Sequence, residues 1–231
     1  MYEKMYLSAS SNDADMVLCD YYSDKEGMIS NFKEPTDGDM FRAFLHRDFI
    51  PCVWNRLTRT EIYRRVVFPK ENYLEDWVQS VQTHAYSRVV NFLQEPLYHY
   101  YYNPSSITKI NNSSDSCAED LRQCMVNMKI VHDFVIDNNL ASEDDMVLMK
   151  LLVRRRLRPK LMQRQGRREY LNTYPELNHS LLRCCYLPLL YKVEHIVIWL
   201  NLYPEWYRYG TPVYRYLQRL KIKHKRLPGK S

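Results

Sequence analysis

Glycine is scarce in this chain, five residues in 231, and none of them builds a Gly-rich phosphate loop. No Cys-x-x-Cys spacing and no paired-histidine pattern accompany Cys19, Cys52, Cys117, Cys124, Cys184 and Cys185, which argues against a zinc site. Leu187 to Leu202 is apolar but interrupted by Lys192, Glu194 and His195. It also falls short of the roughly 20 apolar residues that a bilayer crossing needs. No signal peptide opens the chain, so free thiols in a reducing cytosol are expected. Basic residues occur without any helix-turn-helix, zinc or RNA-binding signature, and no nucleic-acid partner is expected.

Tyrosine and charge stand out. Twenty tyrosines sit in a chain that is 45% hydrophobic and 13% aromatic, enough to bury a core and to line half-buried grooves with rings that keep a polar tip. The net charge of +6 is the sum of two unlike parts. Residues 146–231 hold 19 Lys and Arg against 4 Asp and Glu, or +15; the remainder holds 14 against 23, or −9. An acidic first part is followed by a basic, helical one. Such charge can be a solvated face, or it can meet an anionic membrane, with Trp199, Tyr203, Trp206 and Tyr209 at headgroup level.

Taken in order, Tyr2 to Ser10 reads as the end of a helix with Met1, Met5 and Tyr6 on one face, broken at Asn12-Asp13. Met16-Val17-Leu18-Cys19 is an uninterrupted apolar run, the pattern of a strand covered on both faces. Ser23 to Gly38 is a polar loop, and Asp37 or Asp39 is placed to cap a helix over Met40, Phe41, Phe44 and Leu45. Phe49 to Val53 leads into Trp54-Asn55-Arg56, Thr58 or Thr60 begins a helical turn, and Val66-Val67-Phe68 is extended. Two strands follow, Arg88 to Leu93 and Pro96 to Tyr102, with Tyr98, Tyr100 and Tyr102 opposite Leu97, His99 and Tyr101. Helices are then expected from Asp115 to Asp137, Asp145 to Gln165, Pro175 to Tyr191 and Lys192 to Leu202, with a last one from Pro212.

The stretch Phe68-Pro69-Lys70-Glu71-Asn72-Tyr73-Leu74-Glu75-Asp76-Trp77 organises the first half. Pro69 ends the extended run, a polar loop follows, and Glu75-Asp76 opens a helix to about Ser87. Two carboxylates in a first turn lie at the positive end of the helix dipole and are expected to stay ionised, facing the loop rather than the core. Capping alone explains such a pair; so does a chemical role.

The order Trp54-Asn55-Arg56-Leu57, Phe68-Pro69, loop, Glu75-Asp76, helix, Glu95-Pro96-Leu97-Tyr98-x-Tyr100 and Ser106-Ile107-Thr108 resembles the acceptor half of family 2 inverting glycosyltransferases. These are GT-A-fold enzymes of polysaccharide biosynthesis that use sugar nucleotides. The resemblance covers about residues 1–109. It implies an α/β fold, the C-terminal part of a GT-A-like mixed sheet over residues 1–110, and then a mostly helical basic extension over 111–231. It implies Asp76 as the general base that deprotonates the acceptor hydroxyl, with Glu75 as supporting carboxylate. Inversion is a single displacement, so one ionised carboxylate suffices, worth on the order of 10²–10⁴ in rate.

By the same resemblance Trp54, Asn55, Arg56 and Trp77 line the acceptor side, although Trp54 fits a core role equally well. The family more often has Lys where Arg56 stands, and a planar guanidinium is no simple substitute. Ser105, Ser106 and Thr108 belong to a loop that closes near the donor diphosphate. Asp13-Ala14-Asp15 is not the family's metal-binding Asp-x-Asp motif, because it follows a helix and precedes a strand; a turn role for Asp13 is expected. The nucleotide-binding half is then expected to be absent from this sequence, and with it any metal ligand. A complete relative would take Mg²⁺ or Mn²⁺ at the diphosphate, a sugar nucleotide as donor, and a glycan or lipid-linked acceptor. The expected location is cytoplasmic, with an anionic membrane surface as a further partner. The other reading is a non-catalytic, membrane- or partner-binding module with a basic helical tail.

Overall fold

The structure is a computed structural model, and the described residues are 1–24, 51–106 and 114–210. The expected loop beyond Asp24, the helix over Met40 to Leu45, Ile107-Thr108 and the helix begun by Pro212 lie outside them. The fold is mixed α/β, and the chain divides into two compact units, Met1–Val153 and Arg154–Ser231.

In the first unit, α1 (Tyr2–Asn12) stops at Asp13, whose left-handed backbone (φ 46°) turns the chain and returns an N–H to Ala9 O. β1 (Met16–Ser23) follows and is buried from Met16 to Asp20. Among the described residues it is the centre of a three-stranded sheet ordered β2-β1-β3, antiparallel to β2 (Arg56–Thr58) and parallel to β3 (Val90–Tyr100). Val17 and Cys19 face α1 and pack with Met5 and Ala14. Met16 and Leu18, on the opposite face, are equally buried. The uninterrupted apolar run is therefore a strand covered on both sides, as its sequence implies.

β3 is one strand where the sequence suggests two. Cys19 pairs with Leu93, Asp20 with Pro96 and Tyr21 with Tyr98, so the register shifts on either side of Pro96. Those bulges absorb the extra residues, and a proline without an N–H costs little at a bulge on the sheet's outer strand. The alternation beyond it holds: Tyr98 and Tyr100 lie against Trp54, whereas His99 stacks on Tyr101.

α2 (Thr60–Tyr63) and α3 (Glu75–Tyr86) join β2 to β3, and α4 (Ser114–Asp137) packs on α3. Leu121, Cys124, Met128, Val131 and Val135 form the buried stripe of α4, the spacing of one helix face. Within it sits one polar residue, Asn127, fully buried. Its Oδ1 accepts from the N–H of Lys70 (3.0 Å) and of Glu71 (3.2 Å), and its Nδ2 donates to the carbonyls of Glu71 (2.7 Å) and Tyr73 (2.8 Å). On the other side Gln82 of α3 bonds both the N–H and the C=O of Val67, each at 2.8 Å, as a neighbouring strand would. The extended run over Val66 to Phe68 is thus irregular chain held by a side-chain amide, not a sheet strand.

α5 (Glu143–Arg154) completes this unit, its last residue opening the second. The expected helix from Asp145 to Gln165 is broken: a 3₁₀ stretch (Arg155–Lys160) precedes α6 (Arg164–Asn172). Pro159 removes a donor there. The expected helix from Pro175 to Tyr191 also divides, into α7 (Leu177–Arg183) and α8 (Leu189–Trp199), with Pro188 capping α8. After α8 come a short α9 (Tyr203–Glu205) and a π turn (Trp206–Gly210).

The second unit is tied together by Arg154, which is wholly buried. Its Nε donates to Thr173 O (3.0 Å), and its Nη2 reaches Leu171 O (3.2 Å), Tyr174 O (3.1 Å) and Asn178 Oδ1 (2.8 Å). Tyr170 lies against the guanidinium at 4.7 Å. Arg167 is buried likewise, donating to Leu161 O, Met162 O and Asn201 Oδ1. Part of the basic charge concentrated in this region is therefore interior structure rather than surface.

Two changes test these ties. Asn127→Leu keeps the volume but strands four loop groups, and should cost on the order of 4 kcal/mol at roughly 1 kcal/mol per bond. Arg154→Met should cost a similar amount, with Arg154→Lys recovering only part, because one ammonium cannot serve three carbonyls and an amide. Urea denaturation measures all three. A loss below about 0.5 kcal/mol, ordinary for a surface change, would show that the residue is no tie.

Candidate functional site

The site is built at the start of α3. Leu74, in the left-handed region at φ 63°, turns the loop so that Glu75 and Asp76 enter the first helical turn. Both are half-buried rather than open to the loop space. Burial pushes the Asp76 carboxyl up, the neighbouring Glu75 charge adds to the rise, and Arg56 opposes it, leaving the pKa at about 6. That departs from the freely ionised acid suggested by a first-turn position: desolvation outweighs the helix dipole here. A carboxylate poised near neutrality matches the working range of a general base.

Arg56, the first residue of β2, is only 6% exposed. None of its guanidinium nitrogens hydrogen-bonds a described residue. Burial holds its pKa below the usual value, against the pull of Cys52, Tyr63 and Asp76. Cys52 is itself pushed up to about 12 by burial, so it stays a neutral thiol. Arg56 is therefore a buried cation, and among the described residues Asp76 is the carboxylate whose charge acts on it. The arrangement gives it a means of tuning that acid, whereas its burial withdraws it from direct acceptor contact.

Asn55 is fully buried. Its Nδ2 donates to Cys19 O (3.0 Å), its Oδ1 accepts from Cys52 Sγ (3.1 Å), and its carbonyl accepts from Cys19 N–H (3.0 Å). It welds the Trp-Asn-Arg segment to β1. Trp54 stays half-buried: it stacks on Tyr98 at 4.3 Å, tilts over Tyr100 at 5.5 Å and meets Tyr21 edge-on at 4.9 Å. These rings form an aromatic wall at the carboxyl ends of β1 and β3. Trp77, one residue round the helix from Asp76, is buried beside Val78 and serves the core side of α3.

Ser105 and Ser106 lie in a turn beyond β3, where Asn103 accepts from both N–H groups. Thr108 lies outside the described residues. Asp13 and Asp15 are engaged at the other end of β1. Asp13 ends α1 and pairs with Arg59 and Arg88. Although burial works against it, Asp15 is held below the usual carboxylate range by the N–H groups of Arg88 and Val89 and by Arg59. Among the described residues no three His, Cys, Asp or Glu side chains come together to hold a metal ion.

Sequence reasoning overlooked Asn127 and Gln82, which set the loop before α3. A lone amide inside the Cys124–Met128–Val131 stripe was the available signal, since a buried amide must find partners.

The Asp76 pKa has a testable sign. Folding raises it from about 3.9, so the protonated form is favoured; that contribution is complete below about pH 4 and lost as pH rises through about 6. Asp76→Asn removes the cost of burying the charge and should stabilise the fold at about pH 8 by on the order of 1 kcal/mol, discounted for partial exposure. The difference should shrink towards about pH 4. A simple cap would do the reverse, losing about 1 kcal/mol at the higher pH. Melting temperatures of both proteins across that range separate the two.

No known protein family matches this sequence, and no curated protein does either. Among solved structures, the crystal structure of S. aureus TarS 1-349 in complex with UDP-GlcNAc is similar, with a TM-score of 0.54 at 13% sequence identity, covering 90% of this chain and 64% of that one. The chain thus spans under two thirds of that structure. At this identity the likeness bears on the fold alone. TarS is a glycosyltransferase, and this chain has a glycosyltransferase-like mixed α/β fold with a helical continuation.

Proposed function

We propose that the chain forms the acceptor side of a family 2 inverting glycosyltransferase, moving a sugar from a sugar nucleotide to a polysaccharide or lipid-linked acceptor. The observation that carries this reading is Asp76: a half-buried carboxyl at a helix start, poised near neutrality, with Arg56 buried next to it. Asp76 accepts the proton of the acceptor hydroxyl as its oxygen attacks the anomeric carbon, and the nucleoside diphosphate leaves from the opposite face. Glu75 raises the basicity of Asp76 by its charge. Trp54 with Tyr98 and Tyr100 offers flat apolar faces suited to the C–H side of a sugar ring. A nucleotide such as the UDP-GlcNAc bound by TarS is the class of donor to supply.

Transfer is assayed with the chain alone and with a nucleotide-binding half joined to it or added as a partner. Asp76→Asn should lower turnover about 10²-fold or more with donor affinity unchanged, and Glu75→Gln should cost less. Turnover should fall on the acid side of about pH 6, as Asp76 protonates. Retained turnover in Asp76→Asn would return the pair to capping. Because the described residues hold neither a phosphate loop nor a metal set, the chain alone should not bind sugar nucleotides with Mn²⁺; micromolar affinity in calorimetry would overturn that division.

A further inference from the structure

α8 is apolar on two sides. Its inner side buries His195 and Ile198, each 1% exposed. On the other, Leu189, Val193, Ile196 and Leu200 follow one another at the spacing of a single helix face. Leu189 is 75% exposed, Ile196 41% and Leu200 63%. Trp199 flanks that stripe and is also exposed, as are Leu202, Tyr207 and Tyr209 just beyond the helix. A helix bathed in water carries charge on its outer face, and one that is apolar all round is covered. Exposed apolar area on this scale marks a contact surface.

The accompanying charge identifies what covers it. The one acid of α8, Glu194, is turned away from solvent and engaged by Arg158 at 2.7 Å. Lys192 is the helix's basic residue, and Arg208 stands among the exposed tyrosines. From Trp206 to Ser231 the sequence has eight Lys and Arg and no Asp or Glu. Leucine and isoleucine, rings with polar edges and unbalanced cations are the composition of a segment lying in a lipid headgroup region. No described helix is long and apolar enough to cross a membrane, so the contact is a flat one. Tyr203, which the sequence suggested as an anchor, is only 7% exposed and belongs to the interior.

We propose that the outer face of α8, from Leu189 to Leu200 with Trp199, Tyr207 and Tyr209, docks on an anionic lipid bilayer. Hydrocarbon contact comes from the leucine and isoleucine side chains, and Lys192 and Arg208 meet the surface charge. This inference does not depend on the sugar-transfer reading.

The test is co-sedimentation of the full chain with phosphatidylcholine vesicles, with and without phosphatidylglycerol, at low and high salt. The expected result is binding to the anionic vesicles at least about tenfold tighter than to neutral ones, weakened by salt, with a blue shift of tryptophan emission. Leu189→Glu with Leu200→Glu changes two exposed positions and should reduce binding roughly tenfold or more, with the melting temperature unchanged. No binding, equal binding to both vesicle types, or an unaffected double variant would each overturn the proposal. So would sedimentation showing a dimer that the double variant dissolves, since the face would then belong to a second copy.

Discussion

The clasp of Asn127 on the loop from Lys70 to Tyr73 is the interaction on which the arrangement of the first unit rests. Four hydrogen bonds leave one buried amide, and all end on the backbone of a segment with no helix or strand of its own. A loop cannot bury its polar groups without partners; this amide provides them, and Gln82 does the same for Val67. Because the loop is fixed, Leu74 can adopt its left-handed turn and present Glu75 and Asp76 at a set point. The chemistry proposed for Asp76 is thus held in place from a neighbouring helix.

A second constraint is electrostatic. Asp76 and Arg56 are opposite charges, but burial and Glu75 outweigh their attraction at the acid. The carboxyl is therefore left more basic than a solvated one, at a cost in stability that the fold carries. A tight ion pair would have lowered its pKa and weakened it as a base. A raised carboxyl pKa recurs at functional sites, and it contrasts with Asp15, which is held low by two N–H groups and Arg59.

The second unit answers a different problem. Its helices are short and interrupted at Pro159 and Pro188. Arg154 gathers the carbonyls left open where α6 ends and α7 begins, a use of the guanidinium fork that no ammonium could copy. The same economy leaves α8 with apolar side chains facing outward.

Local pattern was enough for several features. An uninterrupted apolar run made β1, the left-handed turn at Asp13 followed the Asn-Asp break, two acids marked the start of α3, and the stripe from Leu121 to Val135 made α4. These are matters of periodicity and backbone preference, which neighbouring residues determine among themselves. Tertiary structure decided the rest. It ran β3 through Pro96 on bulges, divided two expected helices at prolines, buried Arg154 and Arg167 out of a seemingly solvated basic region, and turned Trp77 inward. Above all it half-buried Asp76, raised its pKa and buried Arg56, whose charge acts on it. A pKa depends on which distant residues exclude water and bring charge close, and that burial exists only once strands and helices far apart in sequence have packed together.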